Sequence, residues 1–158
     1  MLYIGRLIYL VMSHTYVQNT VHVIFSTKDR APLIAAPLRP HLWNYIHGIC
    51  RKKEIFCQAI GGTADHLHLL IQIPANLALA QTVGLIKSNS SRWISQQGSK
   101  FSWQANYAAF SVSYSAVPTV VRYIDRQENH HRRMDFRTEI LALLAKHEVR
   151  YDLERVLG

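Results

Sequence analysis

The N-terminal part of the chain alternates apolar and polar residues, as a β-strand does when one of its faces is buried. Over residues 16–26, the apolar side chains of Val21, Val23 and Phe25 alternate with polar ones, which predicts a strand with one buried face. The chain shows the signals of three further strands and of one tight glycine turn. The strands are predicted at 54–60, 64–73 and 107–114, and the turn at Gly61 and Gly62.

Four further segments place their apolar residues three and four positions apart, which is the spacing of an amphipathic helix. In the first of them, Leu42, Ile46 and Ile49 share one face. Asn76 is expected to cap the second helix and Gly98 to end it, because asparagine and glycine favour these positions. The four helices are predicted at 41–53, at 76–97, from 118 to about 131, and from about 136 to 147.

The predicted elements follow one another in the order βαββαβ, with two helices after the last strand. This is the order of a split βαβ, or ferredoxin-like, sheet. We therefore predict an α+β fold: a ferredoxin-like or RRM-like antiparallel sheet with helices on one face and a C-terminal helical extension. A chain of 158 residues can bury one core, so we predict a single domain over residues 1–158.

The chain is strongly basic, and its charge is unevenly distributed. It has 18 lysines and arginines against 10 acidic residues, a formal net charge of +8. Residues 1–121 carry 10 basic and 3 acidic side chains, a balance of +7, whereas residues 122–158 carry 8 and 7, a balance of +1. We expect a polyanion such as nucleic acid to bind, mainly to the first three quarters of the chain. An acidic disordered tail is excluded.

Cysteine content and hydropathy indicate a cytoplasmic protein. Only Cys50 and Cys57 occur, and their spacing is not that of a redox or metal pair, so no disulfide framework is specified. No apolar run approaches the roughly 20 residues of a membrane span, and we expect no membrane partner. Residues 1–11 lack a signal-peptide cleavage pattern. Because Met12 is an alternative start, we interpret residues 1–12 as a non-native or flexible extension.

The third predicted strand carries two histidines on one face. Side chains alternate along a strand, so His66 and His68 share a face with Leu70 and Gln72, and the opposite face is wholly apolar. The apolar face belongs in the core, which leaves the two imidazoles side by side, about 7 Å apart at their Cα atoms. Two neutral imidazoles at this spacing can chelate a metal ion. A pair of hydrogen-bonded sheet histidines is the alternative.

A second group of polar residues lies on the third predicted helix. Tyr123 and Gln127 are four residues apart and therefore stack on one face, with His130 one turn further along. Taken alone, Tyr123 is a candidate nucleophile or a packing aromatic, and Gln127 is a candidate ligand or a solvated helix residue. The two histidines and two arginines at 130–133 form either a solvated helix end or a phosphate contact.

Taken together, these motifs resemble those of a known family. Three motifs follow one another: Gly61-Gly62 with Asp65-His66-Leu67-His68-Leu69-Leu70, then Trp103-Gln104 with Tyr107 and residues 109–113, then Tyr123-Ile124 with Gln127 and His130-His131-Arg132. They are similar to the motifs of single-tyrosine HUH transposases, the enzymes of insertion sequences that move as single-stranded DNA, and of the REP-associated tyrosine transposases. The likeness runs from about Ser13 to Tyr151 and includes the opening VHVIFSTKDR and the stretch from Phe136 to Glu139.

The resemblance implies a role for each of four residues. His66 and His68 are the metal-binding pair of the HUH motif, Gln127 is the third metal ligand, and Tyr123, on the C-terminal extension, is the nucleophile. Two imidazoles and an amide oxygen leave coordination positions open for phosphate oxygens and water. Such a site favours Mg²⁺ or Mn²⁺ over a closed zinc site.

The resemblance also implies the reaction and the assembly. Tyr123 would attack a backbone phosphate of single-stranded DNA at element ends marked by hairpins, form a 5′-phosphotyrosine bond and release a 3′-hydroxyl. It implies a homodimer in which the helix carrying Tyr123 can serve His66 and His68 of the other subunit. Asn106 and Ala108 stand where the family has glycine. This departure concerns loop geometry or DNA contact rather than the chemistry.

Basic and aromatic side chains supply candidate DNA contacts. The basic ones are candidates for phosphate contacts, with a solvated surface as the alternative for each. They are Lys28, Arg30, Arg51, Lys52, Lys53, Lys87 and Arg92. Trp93, Trp103, Tyr107 and Phe110 are candidates to stack on unpaired bases. We expect most of these four to lie in the core and at most two to stack.

Two other functions would account for part of this pattern. A non-catalytic RRM-like RNA-binding module would explain the basic charge, but the chain lacks the aromatic RNP-type run, and such a module has no use for Tyr123 with Gln127. A domesticated tyrosine nuclease that binds hairpins would keep the motifs without mobilising its own gene. Covalent capture of DNA distinguishes an enzyme from a binding module, and the DNA that flanks the gene distinguishes a mobile element from a domesticated one.

Overall fold

The computed structural model describes residues 15–131 and 134–157, so the interpreted extension at 1–12 and the arginines of the 130–133 stretch lie outside the described residues. The strands are β1 (Thr20–Ser26), β2 (Phe56–Gly62), β3 (His66–Gln72) and β4 (Ala108–Ser111). The helices are α1 (Arg39–Lys52), α2 (Leu79–Gln96), α3 (Val117–Asp125), α4 (Gln127–His130), α5 (Phe136–Lys146) and α6 (Leu153–Leu157). None of these described helices combines the length and the apolar composition that crossing a membrane requires.

The strands form one antiparallel sheet in the order β2-β3-β1-β4. α1 connects β1 to β2, and α2 connects β3 to β4. This is the ferredoxin-like arrangement, so the predicted α+β fold is confirmed. The pairing of β1 with β3 places Ser26 opposite His66. The end of β1 and the start of β3 therefore meet at the same end of the sheet.

α1 and α2 cover one face of the sheet and enclose the main core. As predicted, alternate residues of β3 face these helices, and Leu67, Leu69 and Ile71 are fully buried there. They belong to one apolar cluster with Ile46 on α1 and Ile86 on α2. Burying one such side chain contributes roughly 1.5–3 kcal/mol, so this face holds the sheet and both helices together.

The C-terminal extension covers the opposite face of the sheet. α3 packs on β2 and β3, where Ile124 is buried, and α5 packs on β1 through Phe136 and Ile140. For this reason all seven residues of β1 are buried. The prediction that β1 has a single buried face is therefore wrong, because packing of distant helices covers the face that alternation alone assigns to solvent.

The structure differs from the prediction at the glycine turn before β3 and within the third predicted helix. Gly61 and Gly62 lie inside β2, and the turn to β3 is formed by residues 63–65. The predicted helix from 118 to about 131 is interrupted at Arg126, whose backbone (φ −99°, ψ 11°) separates α3 from α4. Tyr123 and Gln127 therefore lie on two separate helix segments, not on one continuous helix.

The predicted start of the second helix is also wrong, whereas its predicted end is confirmed. Asn76 lies in a turn that the backbone N–H of Leu77 closes onto the carbonyl of Pro74 at 3.1 Å. α2 begins only after Ala78. Gly98 follows the helix with a positive φ of 89°, the left-handed conformation in which glycine commonly terminates helices.

Candidate active site

Both histidines of the His-x-His motif are buried between β3 and the C-terminal helices. His66 and His68 are each 0% exposed, because alternation turns them away from the main core and the extension covers them. Nδ1 of His66 donates a hydrogen bond to Oδ1 of Asp65 at 2.7 Å, and the hydroxyl of Thr63 donates to the same oxygen. Asp65 thereby orients the ring so that Nε2 faces the interior, as in histidines that ligate metals.

His68 is held by a third buried histidine, His22 on β1, which was not predicted as a site residue. Nδ1 of His68 lies 3.0 Å from Nε2 of His22. Burial lowers the pKa of His68 to about 4 and that of His22 to about 3, so both rings are neutral near pH 7. Nε2 of His68 has no hydrogen-bond partner among the described residues. Such a buried nitrogen costs about 1–3 kcal/mol, a penalty that coordination to a cation would remove.

Tyr123 and Gln127 come from two helix segments but reach the same carboxylate. The hydroxyl of Tyr123 and Nε2 of Gln127 both donate to Oε1 of Glu139, the second bond measuring 3.0 Å. Oε1 of Gln127 lies 3.4 Å from Nε2 of His66. The structure thus brings the four predicted site residues together in one cluster, although the helix predicted to carry two of them is broken.

α3 lies close to the sheet because Gly61 has no side chain. Gly61 is buried in β2, and a Cβ at this position would overlap the carbonyl oxygen and the side chain of Ile124. Ile124 directly follows Tyr123 on α3 and is itself buried. This contact sets the separation between helix and sheet, and with it the position of the Tyr123 hydroxyl relative to the histidines.

Glu139 lies at the centre of the cluster and was not predicted as a site residue. It is 2% exposed. Its Oε2 accepts a hydrogen bond from Nε2 of His131 at 2.8 Å. The same oxygen lies 3.5 Å from Nε2 of His68 and 3.8 Å from Nε2 of His66. Four elements, β3, α3, α4 and α5, therefore contribute side chains to one small polar volume.

α5 directs Glu139 toward the sheet from its first turn. The helix begins after Asp135, whose Oδ1 accepts a hydrogen bond from the backbone N–H of Thr138 at 2.7 Å, a normal N-cap. Phe136 and Ile140 face the sheet at four-residue spacing, and Glu139 falls on the same side. An acidic residue within an apolar helix stripe is the sequence signal that points to such a buried carboxylate.

The charge on Glu139 also controls the nucleophile candidate. Burial opposes ionisation of Glu139, but the hydrogen bond from His131 and the nearby imidazole of His68 outweigh it and hold the pKa well below its usual range. Burial raises the pKa of Tyr123, and the neighbouring Glu139 carboxylate raises it further. Tyr123 is therefore a neutral phenol in this structure, and it needs a positive charge nearby to become a nucleophile.

The donor set fits a divalent cation. One ligand atom from each of His66, His68, His131 and Glu139 lies within 4.8 Å of the others. Oε1 of Gln127 borders the same volume. Nε2 of His68, which no described residue engages in a hydrogen bond, supports this fit independently of the family resemblance. Nitrogen and oxygen donors of this kind are compatible with Mg²⁺ or Mn²⁺.

The candidate phosphate contacts lie at two different ends of the sheet. Lys28 and Arg30 are exposed and follow β1 at the end where Ser26 pairs with His66, so they lie at the same end of the sheet as the start of the His-x-His motif. The basic residues 51–53 are exposed as well, but they end α1 just before β2, whose first residue pairs with the last residue of β3. A seven-residue strand is about 20 Å long, so residues 51–53 lie far from the cluster.

Two further basic candidates lie on α2, and their environments differ. The ammonium of Lys87 donates to the backbone carbonyls of Gln104, Ala105 and Asn106, and burial lowers its pKa. Its role in holding this loop accounts for the side chain without DNA. Arg92 is exposed. The seven phosphate contacts remain predictions.

The four aromatic candidates for base stacking are mostly core residues, as expected. Trp103 and Phe110 are buried. Trp93 is half-buried and stacks on Tyr45 with ring centroids 4.9 Å apart. Tyr107 is 37% exposed, so among these four it presents the most accessible ring to an unpaired base.

A ferredoxin-like sheet with a buried His-x-His motif beside a helical tyrosine corresponds to the class of single-tyrosine transposases. The model of the family described as "Transposase IS200 like" matches residues 15–127, most of the chain. The chain belongs to the IS200-like transposase family. His131 and Glu139 lie beyond the matched segment.

Individual relatives agree with this assignment. Transposases for insertion sequence element IS200 from Salmonella typhimurium and Salmonella typhi are each 24% identical over 86 residues, which are 54% of this chain and 57% of each relative. The chain thus spans little more than half of their length. A putative transposase from Deinococcus radiodurans has a TM-score of 0.59 and 19% identity, covering 73% of this chain and 95% of that one. A REP-associated tyrosine transposase bound to a REP hairpin also has a TM-score of 0.59, with 16% identity, covering 77% and 73%.

Proposed function

We propose that this protein is a transposase that cleaves and rejoins single-stranded DNA through a covalent tyrosine intermediate. The observation that carries the proposal is the contact of Tyr123 with a buried carboxylate that also borders His66 and His68. The side chain of Glu139 therefore links the candidate nucleophile to the candidate metal site. Membership of the IS200-like transposase family supports this chemistry over a non-catalytic RNA-binding module.

The proposed substrate is DNA with a hairpin beside an unpaired segment. A structural relative, the REP-associated tyrosine transposase, is bound to a REP hairpin. The net charge of +8 suits a polyanion. Lys28 and Arg30 are exposed at the His66 end of the sheet, where they are suited to neutralise phosphates of a bound strand.

In the proposed step, His66, His68 and Gln127 would hold the metal ion. When bound, Mg²⁺ or Mn²⁺ polarises the scissile phosphate and neutralises the charge that develops on it. The oxygen of Tyr123 bonds to phosphorus while the bond from phosphorus to the 3′-oxygen breaks. The phenol loses one proton and the departing 3′-oxygen takes up one. Because the phosphotyrosine conserves the energy of the broken bond, rejoining needs no nucleotide cofactor. Attack by another 3′-hydroxyl on the phosphotyrosine reverses the step and rejoins strands.

End-labelled hairpin oligonucleotides test this proposal and its polarity. With Mn²⁺, a 3′-labelled strand should give labelled protein on a denaturing gel, because the 5′-phosphate of the downstream fragment is linked to tyrosine. A 5′-labelled strand should instead give a shorter free fragment that ends in a 3′-hydroxyl. The duplex of the same sequence is the control and should remain uncut.

The oligonucleotides are best taken from the DNA on both sides of the gene. Terminal hairpins there indicate a mobile element, and dispersed palindromes indicate a domesticated enzyme. Label on the protein from the 5′ end would contradict the proposed polarity. The absence of any adduct with hairpins from both flanks would contradict the proposed activity.

We also propose a homodimer that acts in the cytoplasm. An enzyme that joins two DNA ends gains from two symmetric sites. Tyr123 contacts the cluster of its own chain, so sites shared between subunits would require exchange of α3. Cys50 and Cys57 are free thiols, in keeping with a reducing compartment. The mass in solution, measured by light scattering, tests the dimer.

Replacing both Lys28 and Arg30 by glutamine should weaken hairpin binding and reduce its salt dependence. If both contact phosphate, the slope of log affinity against log salt should fall by about 1.4 to 1.8, because each contact contributes roughly 0.7 to 0.9. The matched variant neutralises the basic residues 51–53 at the far end of the sheet. An unchanged slope for the first variant would show that Lys28 and Arg30 do not contact phosphate. A reduced slope for the second variant would show that DNA also contacts the end of α1.

A further inference from the structure

We propose that Glu139 is a fourth ligand of the metal ion and the only anionic one, supplied by α5 from outside the segment that the family model matches. This inference deepens the proposed function and rests on it. It assigns a direct bond to the catalytic cation to Glu139, which the sequence analysis did not name as a site residue. Three observations support it: the position of the two carboxylate oxygens, the charge of the cluster, and the chemistry of the remaining donors.

The two oxygens of Glu139 face different partners. Oε1 accepts hydrogen bonds from Tyr123 and Gln127, whereas Oε2 lies 3.5 Å and 3.8 Å from Nε2 of His68 and His66. These two separations exceed a normal hydrogen bond. They are close to the roughly 3 to 3.5 Å that separates neighbouring ligand atoms around an ion with bonds of about 2.1 Å. Oε2 therefore occupies a ligand position toward both imidazoles.

Within the described part of the chain, no permanent cation balances the charge of Glu139. Among residues 15–131 and 134–157, its ion-pair partners are all histidines, and neither a lysine nor an arginine lies within salt-bridge distance. Buried carboxylates in proteins are normally paired with a cation or bound to a metal. A divalent ion between the imidazoles and Oε2 would supply the missing charge.

The other donors alone can bind the expected metal, but they bring no negative charge to it. Two imidazoles and an amide oxygen form a neutral set, whereas Mg²⁺ is usually bound through one or two carboxylates. Adding Glu139 gives a mixed set of nitrogen and oxygen ligands with one negative charge. Such a set suits Mn²⁺ and Mg²⁺ better than the neutral set does.

Hydrogen bonds to Glu139 also orient its neighbours for this role. Nε2 of Gln127 donates to Oε1 of Glu139, so the amide oxygen of Gln127 is turned toward His66, 3.4 Å from its Nε2. Nε2 of His131 donates to Oε2 at 2.8 Å, a type of contact that commonly fixes carboxylate ligands. Removing the carboxylate should therefore remove one ligand and leave the amide of Gln127 without the contact that orients it.

Mn²⁺ binding to the full chain, measured without DNA by electron paramagnetic resonance, tests the inference. Glu139→Gln keeps the size of the side chain and should weaken Mn²⁺ binding at least tenfold. Glu139→Asp retains the charge and should bind with intermediate affinity. Glu154→Gln removes one negative charge from the exposed helix α6 and should bind as the parent does, which controls for long-range electrostatics.

Thermal unfolding in excess chelator separates a ligand from a merely structural residue. A structural Glu139 would lower the unfolding temperature of Glu139→Gln but leave the Mn²⁺ affinity of the folded variant equal to that of the parent, and this result would overturn the inference. If the variant does not fold, crystals of the parent grown with Mn²⁺ decide. The anomalous peak should then lie within bonding distance of Oε2, and a peak bound only by histidine and Gln127 would overturn the inference.

The two proposals fail in distinguishable ways. A parent protein that cleaves hairpin DNA while Glu139→Gln binds Mn²⁺ normally would remove the Glu139 inference and keep the proposed function. A parent protein that binds Mn²⁺ through Glu139 but never forms a DNA adduct would do the opposite. The binding measurement requires no DNA and the adduct assay requires no variant, so each result stands alone.

Discussion

Replacing Tyr123 by phenylalanine should abolish DNA cleavage and the covalent protein–DNA adduct, with a loss on the order of 10³-fold or more. The substitution removes one hydroxyl group, which is the proposed nucleophile, and keeps the aromatic ring that packs on β2 and β3. Hairpin affinity should therefore stay near that of the parent. A denaturing gel with 3′-labelled DNA measures the adduct, and a binding titration measures the affinity.

Two other tyrosines provide matched controls for this variant. Tyr107 and Tyr114 are 37% and 82% exposed, and replacing either by phenylalanine should leave cleavage unchanged. Tyr123→Phe also removes a hydrogen bond to the buried Glu139, which should cost about 1–3 kcal/mol of stability. Thermal unfolding must show that the variant is folded under assay conditions. An adduct that persists in folded Tyr123→Phe would show that another residue is the nucleophile.

Replacing His66 and His68 together by alanine should remove cleavage as completely, and it should also remove Mn²⁺ binding. Both Nε2 atoms border the proposed metal position, so the phosphate would lose its polarising charge. Excess chelator should inactivate the parent in the same way, and added Mg²⁺ or Mn²⁺ should restore only the parent. Gln127→Ala should be milder, because water can refill one coordination position.

His47 supplies the control for the double alanine variant. It lies exposed on α1, on the opposite face of the sheet, and His47→Ala should retain full activity and metal binding. The double variant leaves Asp65 and His22 without their partners, so its fold must be checked by circular dichroism. Undiminished cleavage by the parent in excess chelator would contradict a metal-dependent site.

The His-x-His strand shows how much of the site local sequence can predict. Alternation alone separates Leu67 and Leu69 from His66 and His68, because side-chain direction in a strand depends only on residue parity. The element order likewise predicts the sheet, since few topologies satisfy βαββαβ. These features need no information from distant parts of the chain, and the structure confirms them.

Most of the features near the site that sequence reasoning missed depend on contacts between distant elements. The second buried face of β1 exists because the C-terminal helices pack there. The break at Arg126 comes two residues after Ile124, which packs against Gly61 of β2. The spacing of residues along one helix does not predict this contact. His22 joins the site only through the pairing of β1 with β3. Glu139 lies in the apolar stripe of α5, but only the packing of α5 on the sheet brings its carboxylate next to His66 and His68.

The charge pattern illustrates a different limit. Net charge predicts a polyanionic partner, but it does not tell which basic residues lie near the chemistry. Strand register does, because it places Lys28 and Arg30 at the His66 end of the sheet and residues 51–53 at the other end. Lys87 shows the same limit, since its ammonium binds loop carbonyls that are distant in sequence.

Mass spectrometry of the trapped adduct tests the central claim, covalent catalysis by Tyr123, most directly. After cleavage of hairpin DNA with Mn²⁺, nuclease digestion should leave a short nucleotide on the protein. Trypsin, which cuts after Arg122 and Arg126, releases residues 123–126, a peptide with a single tyrosine. We expect a phosphate-linked nucleotide on this peptide. The same nucleotide on residues 101–122, the tryptic peptide that contains Tyr107 and Tyr114, would contradict it.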